Sequence, residues 1–300
     1  MTRQTKAYAY ALATVAFWST IASASKISLR HLAPEELLFY ASLVSTAILF
    51  VVLVLQKKTG LVKTMGKKEW MTSVRYGLLN PFAYYLVLFK AYSILPAQQA
   101  QVINYTWAIT LSLLSIPFLG QKVEGRQWVA IACSYTGVLV IATRGDLFAL
   151  KFEHPTGVAL ALLSTILWAL YWIFNTRDTR DPVAGLFCNF LCSLPFTALF
   201  IAFTSGFGPV PIQGLLGGAY IGIFEMGLAF VMWLTALKLT TSTAKIANLI
   251  FIAPFASLIF IYFLVGESIF PSTVAGLALV VGGLIIQASR PSGEATEKNI

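Results

Sequence analysis

Charge is scarce in this 300-residue chain. Asp, Glu, Lys and Arg together make up 11% of it, against about 25% in an ordinary soluble domain. So few charges cannot cover the water-facing surface of a chain this long, which excludes a soluble globular fold. Histidine is nearly absent. His31 and His154 both fall in short polar connections and are read as solvated. Cysteine is rare: Cys133, Cys188 and Cys192 all lie in apolar runs, and no pair has zinc-ligand or thioredoxin spacing. Neither a disulfide nor a metal is expected. No phosphate loop or dinucleotide fingerprint occurs, so no cofactor is expected. The apolar runs hold no histidine and no paired carboxylates, which argues against an intramembrane enzyme.

What is present is apolar: 58% of the residues are hydrophobic. A membrane span needs roughly 20 mostly apolar residues, and such runs occur almost end to end. They are placed at 7–25, 36–55, 72–95, 97–119, 127–143, 156–176, 183–203, 213–236, 241–265 and 272–289. The first is too long for a signal peptide and is read as a retained helix. Pro96 alone separates the third run from the fourth, which requires a tight hairpin. The polar tail 291–300 is expected to be disordered. The expected fold is an all-α integral membrane protein of ten transmembrane helices.

The formal net charge of +9 would suggest nucleic acid in a soluble protein. Here the basic residues cluster in alternate connections. Fifteen lie on the side holding the N-terminus, against five, Lys26, Arg30, Lys90, Arg144 and Lys151, on the other; Arg75 stands just inside the third run. The positive-inside rule then puts both termini in the cytoplasm and requires an even number of spans. No nucleic-acid partner is expected.

The halves 1–150 and 151–290 resemble each other at an offset of about 145 to 150. Phe17-Trp18 aligns with Leu167-Trp168, and Lys90-Ala91 with Thr235-Ala236. Phe118-Leu119-Gly120-Gln121 aligns with Leu264-Val265-Gly266-Glu267, and Gly137 with Gly283. Five spans per half is an odd number, so the two five-helix repeats are expected to be inverted in the membrane, a transporter design with its site near the midplane.

Ala253-Pro254, Gly266-Glu267 and the paired Trp18 and Trp168 resemble the drug/metabolite transporter superfamily, in its ten-helix EamA-type branch. The resemblance covers nearly the whole chain. Asn104-Tyr105-Thr106-Trp107 and Leu119-Gly120-Gln121-Lys122 look like bacterial amino acid exporters. Two positions depart from the pattern: Ala108 stands where proline is usual, and Gln121 where glutamate is usual. The resemblance implies a secondary exporter of a small amino-acid-like metabolite in the bacterial inner membrane. It implies a small-molecule substrate, surrounding lipid and a monomer or dimer.

Polar groups within spans mark candidate sites, because burial in hydrocarbon is costly. Glu225 lies 12 residues into the eighth span, about 18 Å deep at 1.5 Å per residue. A charge there costs about 2.5 to 3.5 kcal/mol unless paired or facing a cavity. It is the candidate for proton or cation coupling, or else a buried structural acid. Gly218, Gly222, Ala229 and Met232 share its helical face, as close packing or as open volume. Gln101, Asn104 and Trp107 share one face of the fourth span, suited to a polar or zwitterionic ligand or to tying helices together. Trp18 and Trp168 stand at matched mid-depth as pathway walls or as packing. Asn80, before Pro81, is the repeat equivalent of Glu225, and Asn248 in the ninth span is a further candidate. An exporter of organic cations remains the alternative reading, since aromatic walls and one carboxylate suit a cation.

Overall fold

The computed structural model describes residues 2–120, 125–147, 153–241, 246 and 248–288. Gln121, Lys122, Lys151 and the tail lie outside the described residues. Among the described residues, every regular element is a helix. They are α1 (Arg3–Ser28), α2 (Pro34–Leu55), the short α3 (Thr59–Lys63), α4 (Lys67–Gly77), α5 (Tyr84–Ile94), α6 (Ala97–Tyr105) and α7 (Trp107–Leu119). Then come α8 (Gly125–Ala142), α9 (Pro155–Asn175), α10 (Pro182–Phe203), α11 (Ile212–Tyr220), α12 (Ala229–Leu239), α13 (Ala253–Phe260) and α14 (Pro271–Ala288).

Seven helical runs among the described residues are long and apolar enough to cross a membrane: Pro34–Leu55, Ala97–Leu119, Pro155–Asn175, Pro182–Phe203, Ile212–Leu239, Asn248–Val265 and Pro271–Ala288. Three further expected spans are helical but more polar or interrupted. Serine, threonine and tyrosine dilute α1, and α8 opens on Gly125-Arg126-Gln127. Between α4 and α5 lies a π-helical break, Leu78–Ala83, where Asn80 is extended (φ −144°, ψ 118°) and its bond to Pro81 is cis. Large apolar side chains such as Leu55, Phe203 and Phe263 are more than 75% exposed. Scattered around a helical bundle, such a surface calls for lipid rather than water.

Small residues set the closest approaches. α8 and α14 cross through glycines: a Cβ on Gly137 would lie 2.5 Å from the Gly276 carbonyl oxygen, and one on Gly283 2.6 Å from that of Ala130. α1 buries Ser19 and Ser28 by turning each hydroxyl back onto the carbonyl four residues earlier, both at 2.7 Å. Packing crosses freely between the two halves. α1 lies on α12 and α13, α2 on α10, α5 and α7 on α9, and α8 on α14.

A polar bracket holds the loop between α9 and α10. Arg180, its side chain only 4% exposed, pairs with Asp178 at 2.7 Å and also donates to Ser73 of α4 and Asn189 of α10. Asp181 caps α10 by accepting from the Val183 and Ala184 amides at 3.0 and 3.1 Å, and it pairs with Lys58 at 2.7 Å. Burial pushes both aspartates up, but Arg180 on Asp178, and Lys58 with the cap amides on Asp181, outweigh it and hold each carboxyl below its ordinary value.

Candidate functional site

One cavity of about 100 Å³ opens between the helices of the two halves. Its wall is aromatic. Trp168 of α9 stacks on Tyr84 of α5 with ring centroids 4.4 Å apart, and it meets Trp107 of α7 edge-on at 6.4 Å. Trp18 of α1 packs on Trp233 of α12 at 5.3 Å. Phe230 joins the two groups, 6.1 Å from Trp18 and 5.8 Å from Trp168. Trp172, one helical turn beyond Trp168, closes the row.

Few polar groups interrupt these rings. Glu225 reaches the cavity from a second π-helical break, Ile221–Leu228, between α11 and α12. The Tyr85 hydroxyl donates to Glu225 Oε1 at 3.4 Å, while Oε2 is buried with no partner. The Trp172 indole N–H is likewise buried without an acceptor. Asn104 Nδ2 donates to Ser164 Oγ at 3.0 Å, and its Oδ1 accepts weakly from Tyr84 at 3.5 Å. Gln101 Oε1 accepts from the Tyr92 hydroxyl. Among the described residues lining the cavity, a Glu225 carboxylate oxygen and the Trp172 indole N–H are thus buried without a partner in an aromatic wall. Such groups are costly to leave unmatched and suit a ligand that completes them.

Trp18, Gln101, Asn104, Trp107, Trp168 and Glu225 all stand around this cavity. Asn80 does not: it is fully buried in the first π-helical break, its amide without a well-formed hydrogen bond and the Tyr171 phenol beside it. Asn248 is exposed at the start of a 3₁₀ turn, Asn248–Ile252. The glycine face of the eighth expected span forms close packing, not open volume. Gly222 lies on Ala41 of α2, where a Cβ would come within 2.5 Å of the carbonyl oxygen. A regular α-helix would point Glu225 the same way; the i→i+5 turn shifts the register and sends it toward Tyr85. Sequence reading missed Tyr84, Tyr85, Trp172 and Trp233. Trp172 was signalled by its place four residues after Trp168, but tyrosines in an apolar run carry no such mark.

A helical bundle for a bilayer with an aromatic-walled cavity among its helices is the architecture of a membrane transporter. The profile of the EamA-like transporter family matches residues 5–143 and again 155–288. The chain belongs to that family, a multi-pass membrane transporter of a small molecule and not an enzyme. An uncharacterized transporter of Archaeoglobus fulgidus is 25% identical over 285 residues, 92% of this chain and 95% of that one. A probable amino-acid metabolite efflux pump of Salmonella typhimurium is 25% identical, covering 92% of each chain. The aromatic amino acid exporter YddG of Ancylobacter novellus is 27% identical over 188 residues, 60% of this chain and 64% of the relative. A solved crystal structure shares the fold with a TM-score of 0.66 at 21% identity, covering 94% of this chain and 96% of the other.

Proposed function

We propose that this protein exports a small amino-acid-like metabolite across the bacterial inner membrane by alternating access, in exchange for protons. The observation that carries the reading is Glu225 Oε2, an unpartnered carboxylate oxygen at a cavity walled by indoles. A substrate ammonium would pair with this oxygen, and its carbon skeleton would lie on Trp18, Trp168 and Trp233. Acceptor groups on the substrate would meet the Trp172 N–H and the Asn104 amide. Either a proton or an ammonium satisfies the same carboxylate, so the two exclude each other and their movements are coupled.

The architecture of this reading is ten spans in two inverted repeats, 1–150 and 151–290, with both termini cytoplasmic. Support comes from the two separate matches to the family profile. It also comes from the helix irregularities at Asn80, a kink, and at Glu225, a π-helical turn, 145 residues apart, and from the left-handed glycine caps at Gly120 (φ 66°) and Gly266 (φ 79°). The relatives named as exporters of amino acids or their metabolites support the substrate class and the direction. The protein works as a monomer or a dimer.

One observation favours a second reading, export of organic cations. Among the described residues lining the cavity there is no lysine, arginine or histidine to hold a substrate carboxylate. Efflux of labelled amino acids and of a fluorescent organic cation from the same proteoliposomes separates the two. Saturable amino acid efflux supports the first reading, and efflux of the cation alone supports the second.

A further inference from the structure

The hairpin between α5 and α6 turns at Pro96, and this sharp turn leaves two helix ends to be satisfied. Both are met by charged side chains from distant parts of the chain. Lys26 of α1 donates to the Tyr92 and Leu95 carbonyls at 2.8 and 2.6 Å, at the negative end of α5. Glu267, just past the Gly266 cap, accepts from the Ala97 and Gln98 amides at 2.8 and 3.3 Å, at the positive end of α6. Gln98 ties the same two parts together. Its Nε2 donates to the Ser268 carbonyl, and its Oε1 accepts from the Phe270 amide and the Thr273 hydroxyl, all within 2.9 Å. Directly beneath, Tyr92 and Gln101 are hydrogen-bonded across the end of the cavity, and Leu95, Gln98 and Gln99 are at most 5% exposed.

The opposite face has its own ties. There Arg3 donates to the Lys238 carbonyl at 3.0 Å, Gln4 accepts from the Thr241 amide at 3.0 Å, Arg177 donates to the Phe118 carbonyl at 3.0 Å and Lys58 pairs with Asp181. On that side Trp172 and Phe230 also wall a second, separate space, lined by Asn175, Asp178 and Arg180.

We infer that Lys26 and Glu267 form a latch that shuts the cavity from the α5–α6 hairpin face. Each charge holds one arm of the hairpin by a helix end, so opening that face requires both to let go. Charge-assisted bonds to helix termini are strong enough to hold a conformation and few enough to be released together. The latch deepens the alternating-access reading and rests on it, because it assigns which contacts must break for the hairpin face to open.

The test uses Ile21→Cys, a cavity-lining position of α1 on the hairpin side. It is placed in the full chain carrying Cys133→Ser and Cys192→Ser. Labelling by a membrane-impermeant maleimide is followed in intact cells and in inside-out vesicles, without substrate. Cys188, fully buried in α10, reports any general loosening. Glu267→Gln or Lys26→Met should speed labelling at position 21 from the hairpin side by about tenfold or more, the order of one lost charge-assisted bond, with Cys188 unchanged. Unchanged labelling at position 21 in both variants would overturn the latch. Equal acceleration at position 21 and Cys188 would also overturn it, by making these residues general structural ties. Because no substrate is present, failure of the export reading shows only in flux assays and stays separate.

Discussion

Glu225 stands in the cavity because the helix carrying it is locally over-long by a residue. The same turn leaves Gly222 free to press against α2. A neutral isostere keeps the shape and removes the charge. Glu225→Gln should therefore lower pH-gradient-driven efflux about tenfold or more, the order of one lost charge-assisted contact, while the thermal midpoint in detergent holds. Equal flux in the two proteins would remove Glu225 from the coupling step. Trp172→Phe keeps an aromatic ring but removes the five-membered ring that carries the unpaired N–H. It should weaken substrate affinity about three- to tenfold, read as a rise in KM with little change in the maximal rate. Much of this chemistry is legible in the sequence, since a lone acid or a mid-depth tryptophan in an apolar run asks for a reason. Tyr84 and Tyr85 are not, because a tyrosine there can face lipid, core or cavity equally well until the helix rotation is known.

At the scale of elements, glycine positions decide how near helices come. Gly137→Ala should cost about 1–3 kcal/mol through overpacking against the Gly276 carbonyl, seen as a lower midpoint of thermal unfolding in detergent. Gly282→Ala in α14 meets nothing within 4 Å and should leave that midpoint unchanged or raise it. The α9–α10 loop answers to pH. Asp178 and Asp181 have carboxyls held below the ordinary 3.8. Their contribution is complete above that value and is lost as pH falls through the lowered native ones. Asp178→Asn should flatten the loss of stability below about pH 4, measured by thermal unfolding across pH. Helix positions follow from apolar runs and are largely readable in advance. The π-helical breaks are not, because their cause is tertiary: Asn80-Pro81 hints at one, while Ile221–Leu228 has no proline and no polar residue but Glu225.

At the scale of the whole molecule, first-half helices find their main neighbours in the second half, so neither half is a self-contained lobe. The offset between landmarks such as Gly120 and Gly266 is visible in sequence, but the interleaving is not, because apolar helices carry little information about which partner they meet. This interleaving places a cavity between the halves, with one set of ties around Lys26 and Glu267 and another around Arg3, Lys58, Arg177 and Asp181. Rocking about the shared cavity would exchange one set of ties for the other.

The most direct test is efflux from proteoliposomes of labelled amino acids and a fluorescent organic cation, with and without a pH gradient, for the native chain and Glu225→Gln. Saturable amino acid efflux that the gradient accelerates, and that Glu225→Gln uncouples, is the predicted result. Efflux that ignores both the gradient and the substitution would contradict a coupled cycle through this carboxylate.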